Sequence, residues 1–374
     1  MLIEDFIMFE KLKSLDWDFS ESNNKDGLHS IHPYPAKFIP EIPEQLIREL
    51  KPKKGVILDP FCGSGTTMSV SQKMGYESIG IDLNPIACLI SRVKTSVLPS
   101  CFRETYQKVL VDIKSQKDVL LDNNIPNVNH WFKLDIQAEI EKLKKAIEKY
   151  NQSTALYDAL SLALSSILVR VSNQESDTRY AAIDKKITAG DVFRLFENSC
   201  EKILENITVK ETSPKVKVIN KDILKVNSSD IQAEVGLVIT SPPYPNAYEY
   251  WLYHKYRMWW LGYDPVSVKE KEIGARAHFF KKNHHTELDF YHQMSKTLNT
   301  INEVLIKDGY VAIVVGRSKI HGKIIDNAEL IERAAKDNGL ICVGKFNRMM
   351  KSSRKSFNLN HANIKEETIV VLKK

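Results

Sequence analysis

The sequence is 374 residues long, 43% hydrophobic and 27% charged, with a net charge of +6 and a pI near 8.8. A chain of this length buries a proper core without disulfides or metals, and its mild basic excess is compatible with a polyanionic partner without specifying one. The cysteines Cys62, Cys88, Cys101, Cys200 and Cys342 are odd in number and never spaced C-x-x-C, which argues against a disulfide framework and against a zinc site.

The N-terminal stretch MLIEDFIMFEKLK is interrupted by Glu4, Asp5 and Glu10 and lacks the apolar core of a signal peptide. No apolar run approaches the ~20 residues needed to cross a bilayer. A cytoplasmic protein with no membrane partner is expected.

From Gly55 to Asp59 the sequence GVILD predicts a short buried strand. The turn-rich segment Asp59-Pro60-Phe61-Cys62-Gly63-Ser64-Gly65-Thr66-Thr67 follows, and then a helix over MSVSQKMGY and a second strand, SIGID, ending at Asp82. This is a βαβ unit and implies a parallel sheet. Glycines at such a turn let the backbone approach a ligand outside the carboxyl ends of the strands. Met68 stands where a dinucleotide fingerprint needs its third glycine, and no Gly-Lys-Ser/Thr is present for a phosphate loop, so NAD and ATP are disfavoured. Asp82 has the position of a carboxylate that accepts from ribose hydroxyls; a solvated turn aspartate before Asn84-Pro85 is the alternative.

Residues 96–212 are polar and helical in pattern, with apolar periodicity in AEIEKLKKAIEKY and LYDALSLALSSILVRV and no alternation with strands. They form a helical insertion, and one that a sheet does not need for its own strands is a candidate for target recognition. The polar stretch from Ser172 to Tyr180 within it reads first as a connector and second as a functional loop. Strands resume in KVKVINKDI, GLVIT, GYVAIVVG and ETIVVLKK, with a helix between about Phe290 and Ile306.

The strand GLVIT runs into Thr240-Ser241-Pro242-Pro243-Tyr244. Successive prolines cannot donate ladder hydrogen bonds, so the strand must stop in a stiff loop with free carbonyls, and Tyr244 adds a flat ring at the same edge. These parts suit one chemical difficulty. The exocyclic amine of cytosine is a poor nucleophile because its lone pair is delocalised, so a site must accept its N–H hydrogens and aim the lone pair at an electrophilic methyl group. The base must also leave the helix stack, and an aromatic ring can hold it once flipped.

Weaker signals remain open. Asn246, Tyr248, Tyr250, Trp251, Tyr253, Tyr256, Trp259 and Trp260, with Lys255 and Arg257 between them, suit a nucleic-acid surface and equally an amphipathic helix packing its aromatics inward. Lys345, Arg348, Lys351, Arg354 and Lys355 lie in a stretch with no evident strand and read first as a solvated loop, second as a phosphate clamp. His284, His285 and His292 lack accompanying ligands and read as surface residues, so no metal is expected. No Pro-Cys dipeptide occurs, which argues against the cysteine-nucleophile route of C5-cytosine methylation.

Taken together, DPFCGSGTT and TSPPY resemble the DNA amino-methyltransferase family over residues 29–95 and 215–374, and SPPY is typical of its N4-cytosine enzymes. The resemblance implies a doubly wound Rossmann-like α/β methyltransferase sheet and S-adenosyl-L-methionine as cofactor. It implies Asp59, Phe61, Gly63 and Gly65, with Pro60 and Thr66, around the methionine moiety. Asp82 with Leu83 would meet the ribose, and Asp222 with Ile223 the adenine. Segment His32-Pro33-Tyr34-Pro35-Ala36-Lys37-Phe38 would close over the methionine end, with His32, Pro33, Lys37 and Phe38 as contacts. Ser241, Pro242, Pro243 and Tyr244 would hold the target base. The organisation expected is a cap and cofactor half over 1–95, the helical insertion over 96–212 and a catalytic half over 213–374. The expected partners are double-stranded DNA with a flipped base and a cognate restriction endonuclease. An N6-adenine enzyme, an RNA amino-methyltransferase and a catalytically inactive nucleic-acid-binding relative are the alternatives.

Overall fold

Runs of buried aliphatic residues, too short for helices, build the sheet. In this computed structural model, residues 3–19, 27–115, 119–121, 124–177, 179–246, 248–280, 284–349 and 366–374 are described. The strands in chain order are β1 (Val56–Asp59), β2 (Ser78–Asp82), β3 (Gln174–Ser176), β4 (Arg179–Ala182), β5 (Val216–Asn220) and β6 (Val235–Thr240), then β7 (Leu305–Gly316), β8 (Ser318–Ile320), β9 (Lys323–Ile325), β10 (Ile341–Met349) and β11 (Glu366–Lys373). Every residue of β6 is buried, as a central strand covered on both faces requires.

The main sheet has the order β10-β11-β7-β6-β1-β2-β5. Strand β1 pairs in parallel with β2 and β6, β2 with β5, and β6 with β7, while β11 runs antiparallel between β7 and β10. The chain therefore starts in the middle, moves outward through β2 to β5, returns beside β1 as β6, and then moves out the other way. Strand order reverses between β1 and β6, which opens a crevice at their carboxyl ends. This is the doubly wound α/β sheet that the sequence implies.

Helices Ile3–Ser14 and Glu41–Leu50 cover one face, where Leu12, Ile42, Leu46 and Ile47 pack on Leu237, Ile239 and Val314. Helices Glu287–Val304 and Asn327–Asp337 cover the other, with Leu298, Ile301 and Ile331 against Val238, Val311 and Val370. Helix Pro85–Thr95 starts where Asn84 Oδ1 accepts from Ile86 N at 3.0 Å and Pro85 takes the first helical position.

Residues 96–212 contain helices Phe102–Ser115, Leu134–Glu148, Thr154–Ile167 and Ala189–Asn206 and the short hairpin of β3 with β4. Their apolar faces merge into one cluster with Ile86, Leu89, Ile90 and Val93 of Pro85–Thr95 and with Tyr256, Met258 and Trp260 of helix Tyr250–Trp260. A bidentate pair of Arg92 with Asp158, at 2.6 and 3.0 Å, ties the insertion to the sheet's own helix. The aromatic stretch after the Ser-Pro-Pro-Tyr loop is thus an amphipathic helix with Tyr256 and Trp260 inside. Trp259 stays half-buried, and Lys255 lies over the rings of Tyr180, Tyr256 and Trp259.

Two expectations need correction. The stretch from Ser172 to Tyr180 is a hairpin rather than a connector, with Thr178 outside the described residues. Lys345 and Arg348 are not in a solvated loop: both belong to β10, where Val343, Phe346 and Arg348 face inward. The bulge between Cys342 and Gly344 breaks the alternation that would have revealed the strand, and Gly344 is needed because the Phe9 ring lies against it. Lys351, Arg354 and Lys355 lie outside the described residues. Among the described residues no helix is long and apolar enough to cross a membrane.

Candidate active site

The glycine turn leaves β1 with Gly63 and Gly65 in the left-handed region, at φ +49° and +75°. A Cβ on Gly65 would lie 2.4 Å from Ser91 Oγ and 2.8 Å from Ser91 Cα, so the turn rests directly on helix Pro85–Thr95. Lys94 of that helix is buried and donates to Ser64 O at 2.8 Å, and burial pushes its ammonium well below the usual lysine range. Thr66 Oγ1 and Asn84 Nδ2 are buried at the turn without a protein partner.

Two carboxylates organise this turn. Asp82 Oδ2 accepts from Gly63 N and Oδ1 from Asn84 N, both at 2.8 Å. Asp59 Oδ1 accepts from Phe61 N at 3.1 Å and from Thr240 Oγ1 at 2.7 Å. The second contact joins the ends of β1 and β6, so the glycine turn and the Ser-Pro-Pro-Tyr loop leave adjacent points of the sheet. Burial raises Asp59 to about 6 against the hydrogen bonds from Thr240 and Phe61. Asp82 keeps some contact with solvent, yet the protein crowding it raises it to about 6 as well, with Asp59 adding repulsion.

Tyr34 covers the turn, since a Cβ on Gly63 would lie 3.3 Å from the Tyr34 hydroxyl. Its ring stacks on Tyr250 at 5.7 Å and on His254 at 5.2 Å between centroids. Glu272 accepts from Tyr250 N at 2.8 Å and Trp251 N at 2.7 Å, capping helix Tyr250–Trp260 from outside it, and burial raises its carboxyl to about 8.

Beyond the end of β6, Ser241 Oγ lies 3.4 Å from the Tyr244 hydroxyl, which donates to Glu367 Oε1 at 2.8 Å. Burial, and then the Glu367 carboxylate, push the Tyr244 hydroxyl well above its ordinary pKa. Gly274, at φ +74°, backs the loop: a Cβ there would lie 2.9 Å from Tyr244 O, and Gly274 O accepts from Asn246 N at 2.9 Å.

The remaining sequence-predicted residues are placed as follows. His32 is buried with Nε2 2.9 Å from Ser165 Oγ of the insertion and Nδ1 2.6 Å from the carbonyl of Pro33, so both ring nitrogens have protein partners. Lys37 donates to the carbonyls of His29 and His32 and closes its own loop. Phe38 packs with the cluster around Ile42, and Phe61 with the one around Leu58. Pro60 is buried where β1 ends. The carbonyl of Leu83 accepts from Asn220 Nδ2 at 3.0 Å. Asp222 caps the short turn Ile223–Lys225 through Leu224 N at 3.0 Å, and Ile223 is buried. Sequence reasoning missed Glu272, Glu367 and the inward role of Arg348, none of which lies in a recognisable motif. Among the described residues no group of three or more His, Cys, Asp or Glu is placed to hold a metal.

Two carboxyl groups raised by burial to about 6 are mostly ionised at neutral pH, and in that form they favour a cationic ligand. Carboxyl groups at about 6 in the folded chain and ~4 unfolded make the folded state bind more protons between those values, so the ligand-free protein loses stability as pH rises through that window. A cationic ligand prefers the ionised carboxylates, so its affinity should rise with pH up to about 6 and then level off. Asp82→Asn should weaken cofactor binding about tenfold at pH 7.5, the loss of one charge-assisted hydrogen bond, and should flatten this profile. Calorimetry between pH 5 and 7.5 showing the wild-type profile in the variant would remove Asp82 from the site.

Residues 9–92 match the family of N6 and N4 amino-methyltransferases described as DNA methylase. The Type II methyltransferase M.MjaII of Methanocaldococcus jannaschii is 36% identical over 159 residues, 39% of this chain and 28% of that protein. M.MvaI of Kocuria varians is 25% identical, covering 60% of this chain and 55% of that one, and M.BsoBI of Geobacillus stearothermophilus is 25% identical, covering 78% and 65%. The chain thus matches less than two thirds of the length of each of these relatives. Among solved structures, a SAM-dependent methyltransferase from Methanosarcina mazei aligns at a TM-score of 0.35 and 9% identity, covering 92% of this chain and 98% of that one; the strand order carries the fold assignment without it. Over residues 9–92 the chain is thus similar to the DNA amino-methyltransferase family, and its glycine turn and Ser-Pro-Pro-Tyr loop are joined across the switch point of the sheet.

Proposed function

We propose that this chain methylates the exocyclic N4 amine of cytosine in double-stranded DNA, with S-adenosyl-L-methionine as methyl donor. The observation that carries the reading is the Thr240–Asp59 hydrogen bond, which couples an acceptor-rich, neutral loop to a ligand turn lined by two carboxylates. The turn fits the cofactor: Asp59 and Asp82 favour a cation, Gly63 and Gly65 allow close backbone approach, and Thr66 Oγ1 is a buried polar atom with no protein partner. When bound, S-adenosyl-L-methionine supplies a methyl group on a positively charged sulfur, which makes that methyl strongly electrophilic.

The chain's own task is then positioning. Ser241 Oγ and the loop carbonyl of Pro242 accept the amine hydrogens and turn the nitrogen lone pair outward. Tyr244 offers its ring to a base that has left the duplex. Ser241 is neutral where a carboxylate or amide would suit adenine, and this favours cytosine. No side chain needs to remove a proton before transfer, because the methylated amine is acidic and releases its proton afterwards.

Sequence reading is assigned to the insertion, residues 96–212, as a candidate recognition region within the proposed organisation 1–95, 96–212 and 213–374. A cognate restriction endonuclease is the proposed biological partner. Mass spectrometry of nucleosides from unmethylated DNA treated with the protein and S-adenosyl-L-methionine should give N4-methylcytosine. N6-methyladenine instead would overturn the base assignment, modified RNA alone would overturn the DNA assignment, and cofactor binding with no product would leave an inactive binding protein. Methylome sequencing of an expressing host gives the target motif, and exchange of residues 96–212 for a relative's insertion with that motif unchanged would place recognition elsewhere.

A further inference from the structure

We propose that Arg348 and Glu367 form a relay that positions the Tyr244 hydroxyl, and through it both the ring and the acceptor side of Ser241. The proposal rests on the reading of residues 241–244 as the catalytic loop. Its parts come from distant stretches of chain. Arg348 of β10 and Glu367 of β11 are cross-strand neighbours, and Glu367 also faces Gly316 at the end of β7. Arg348 is 3% and Glu367 12% exposed, and Arg348 Nη1 meets Glu367 Oε2 at 2.5 Å. Arg348 Nε donates to Trp17 O at 2.9 Å, which anchors the guanidinium from behind.

That leaves Glu367 Oε1, and it accepts the Tyr244 hydroxyl at 2.8 Å. A pair that served only to join two strands would not need its second oxygen aimed at a loop residue. The consequence for Tyr244 is geometric. Its backbone end is stiffened by Pro242 and Pro243 and by the close approach of Gly274, and its hydroxyl end is held by Glu367, so the ring plane is defined at both ends before any base arrives.

The consequence for Ser241 is directional. The Tyr244 proton is committed to Glu367, so at 3.4 Å Ser241 Oγ meets only the lone pairs of the Tyr244 oxygen. Ser241 can point its own proton there and keep its lone pairs for the hydrogens of an incoming amine. Arg348 and Glu367 touch neither substrate nor cofactor in this account and are positioning residues.

The experiment is single-turnover methyl transfer to unmethylated DNA, with cofactor affinity measured separately, for Tyr244→Ala, Tyr244→Phe, Glu367→Gln, Glu367→Ala and Tyr244→Phe combined with Glu367→Ala. Tyr244→Phe and Glu367→Ala should each slow transfer about tenfold with cofactor affinity within about twofold, the double variant should be no slower than either, and Glu367→Gln, which keeps an acceptor, should recover part of the rate. Wild-type transfer in Tyr244→Phe, or losses that multiply in the double variant, would overturn the relay. Because Glu367→Ala leaves a buried guanidinium unpaired and could fail to fold, Tyr244→Phe and Glu367→Gln decide the matter alone if it does. Tyr244→Ala separates the two levels: full transfer there means the loop is not the active site, whereas a large loss in Tyr244→Ala with none in Tyr244→Phe or Glu367→Gln rejects the relay only.

Discussion

Gly65→Val is expected to abolish measurable cofactor binding and to lower the melting temperature. Two costs add. A β-branched residue at φ +75° occupies a backbone region it avoids, at about 1–3 kcal/mol. Its Cβ would also lie 2.8 Å from Ser91 Cα, a backbone atom that can yield only if helix Pro85–Thr95 moves. Movement of that helix would disturb Lys94 under Ser64 and Asn84 beside Asp82, so the turn would lose its shape along with its space. The contact with Ser91 is what adds a loss of stability to the loss of affinity. Calorimetry and thermal denaturation check it, and wild-type affinity would show that no ligand approaches this turn.

Tyr244→Ala should be the most damaging change in the Ser-Pro-Pro-Tyr loop. Loss of an aromatic platform costs about 1–3 kcal/mol, and here Glu367 Oε1 also loses its donor beside a buried guanidinium. Single-turnover transfer should fall about a hundredfold with cofactor affinity nearly unchanged, since the hydrogen bonds of Tyr244 go to Ser241 and Glu367. The hydroxyl's partner makes Tyr244→Phe costly as well, which Tyr244→Trp cannot remedy. Equal loss of cofactor affinity and transfer rate would place Tyr244 in the cofactor pocket instead.

What the sequence makes legible is whatever local chemistry dictates. The strand ends at Asp59, Asp82 and Thr240 are readable because apolar runs meet glycine or proline there, and those three points define the crevice. Strand β10 is not readable, because its inward residues include an arginine and its alternation is broken by a bulge at Gly344. Glu272 and Glu367 are silent for a related reason. Each acts on a partner brought near only by tertiary structure, Glu272 on the start of helix Tyr250–Trp260 and Glu367 on Tyr244. His32 and Lys37 show the converse: a motif-like segment whose polar atoms are engaged with Ser165 and with its own backbone.

The hydrogen bond between Asp59 and Thr240 also bears on how the molecule assembles. Its partners are 181 residues apart, and β1 cannot acquire β6 as a neighbour until the whole insertion has been looped out. Contacts of such long sequence separation are entropically late, so the first βαβ unit can collapse on its own while the ligand turn still lacks one of its supports. During refolding, recovery of cofactor binding should therefore lag behind recovery of helical signal and coincide with closure of the sheet's centre, making the ligand a reporter of the last step of folding rather than the first.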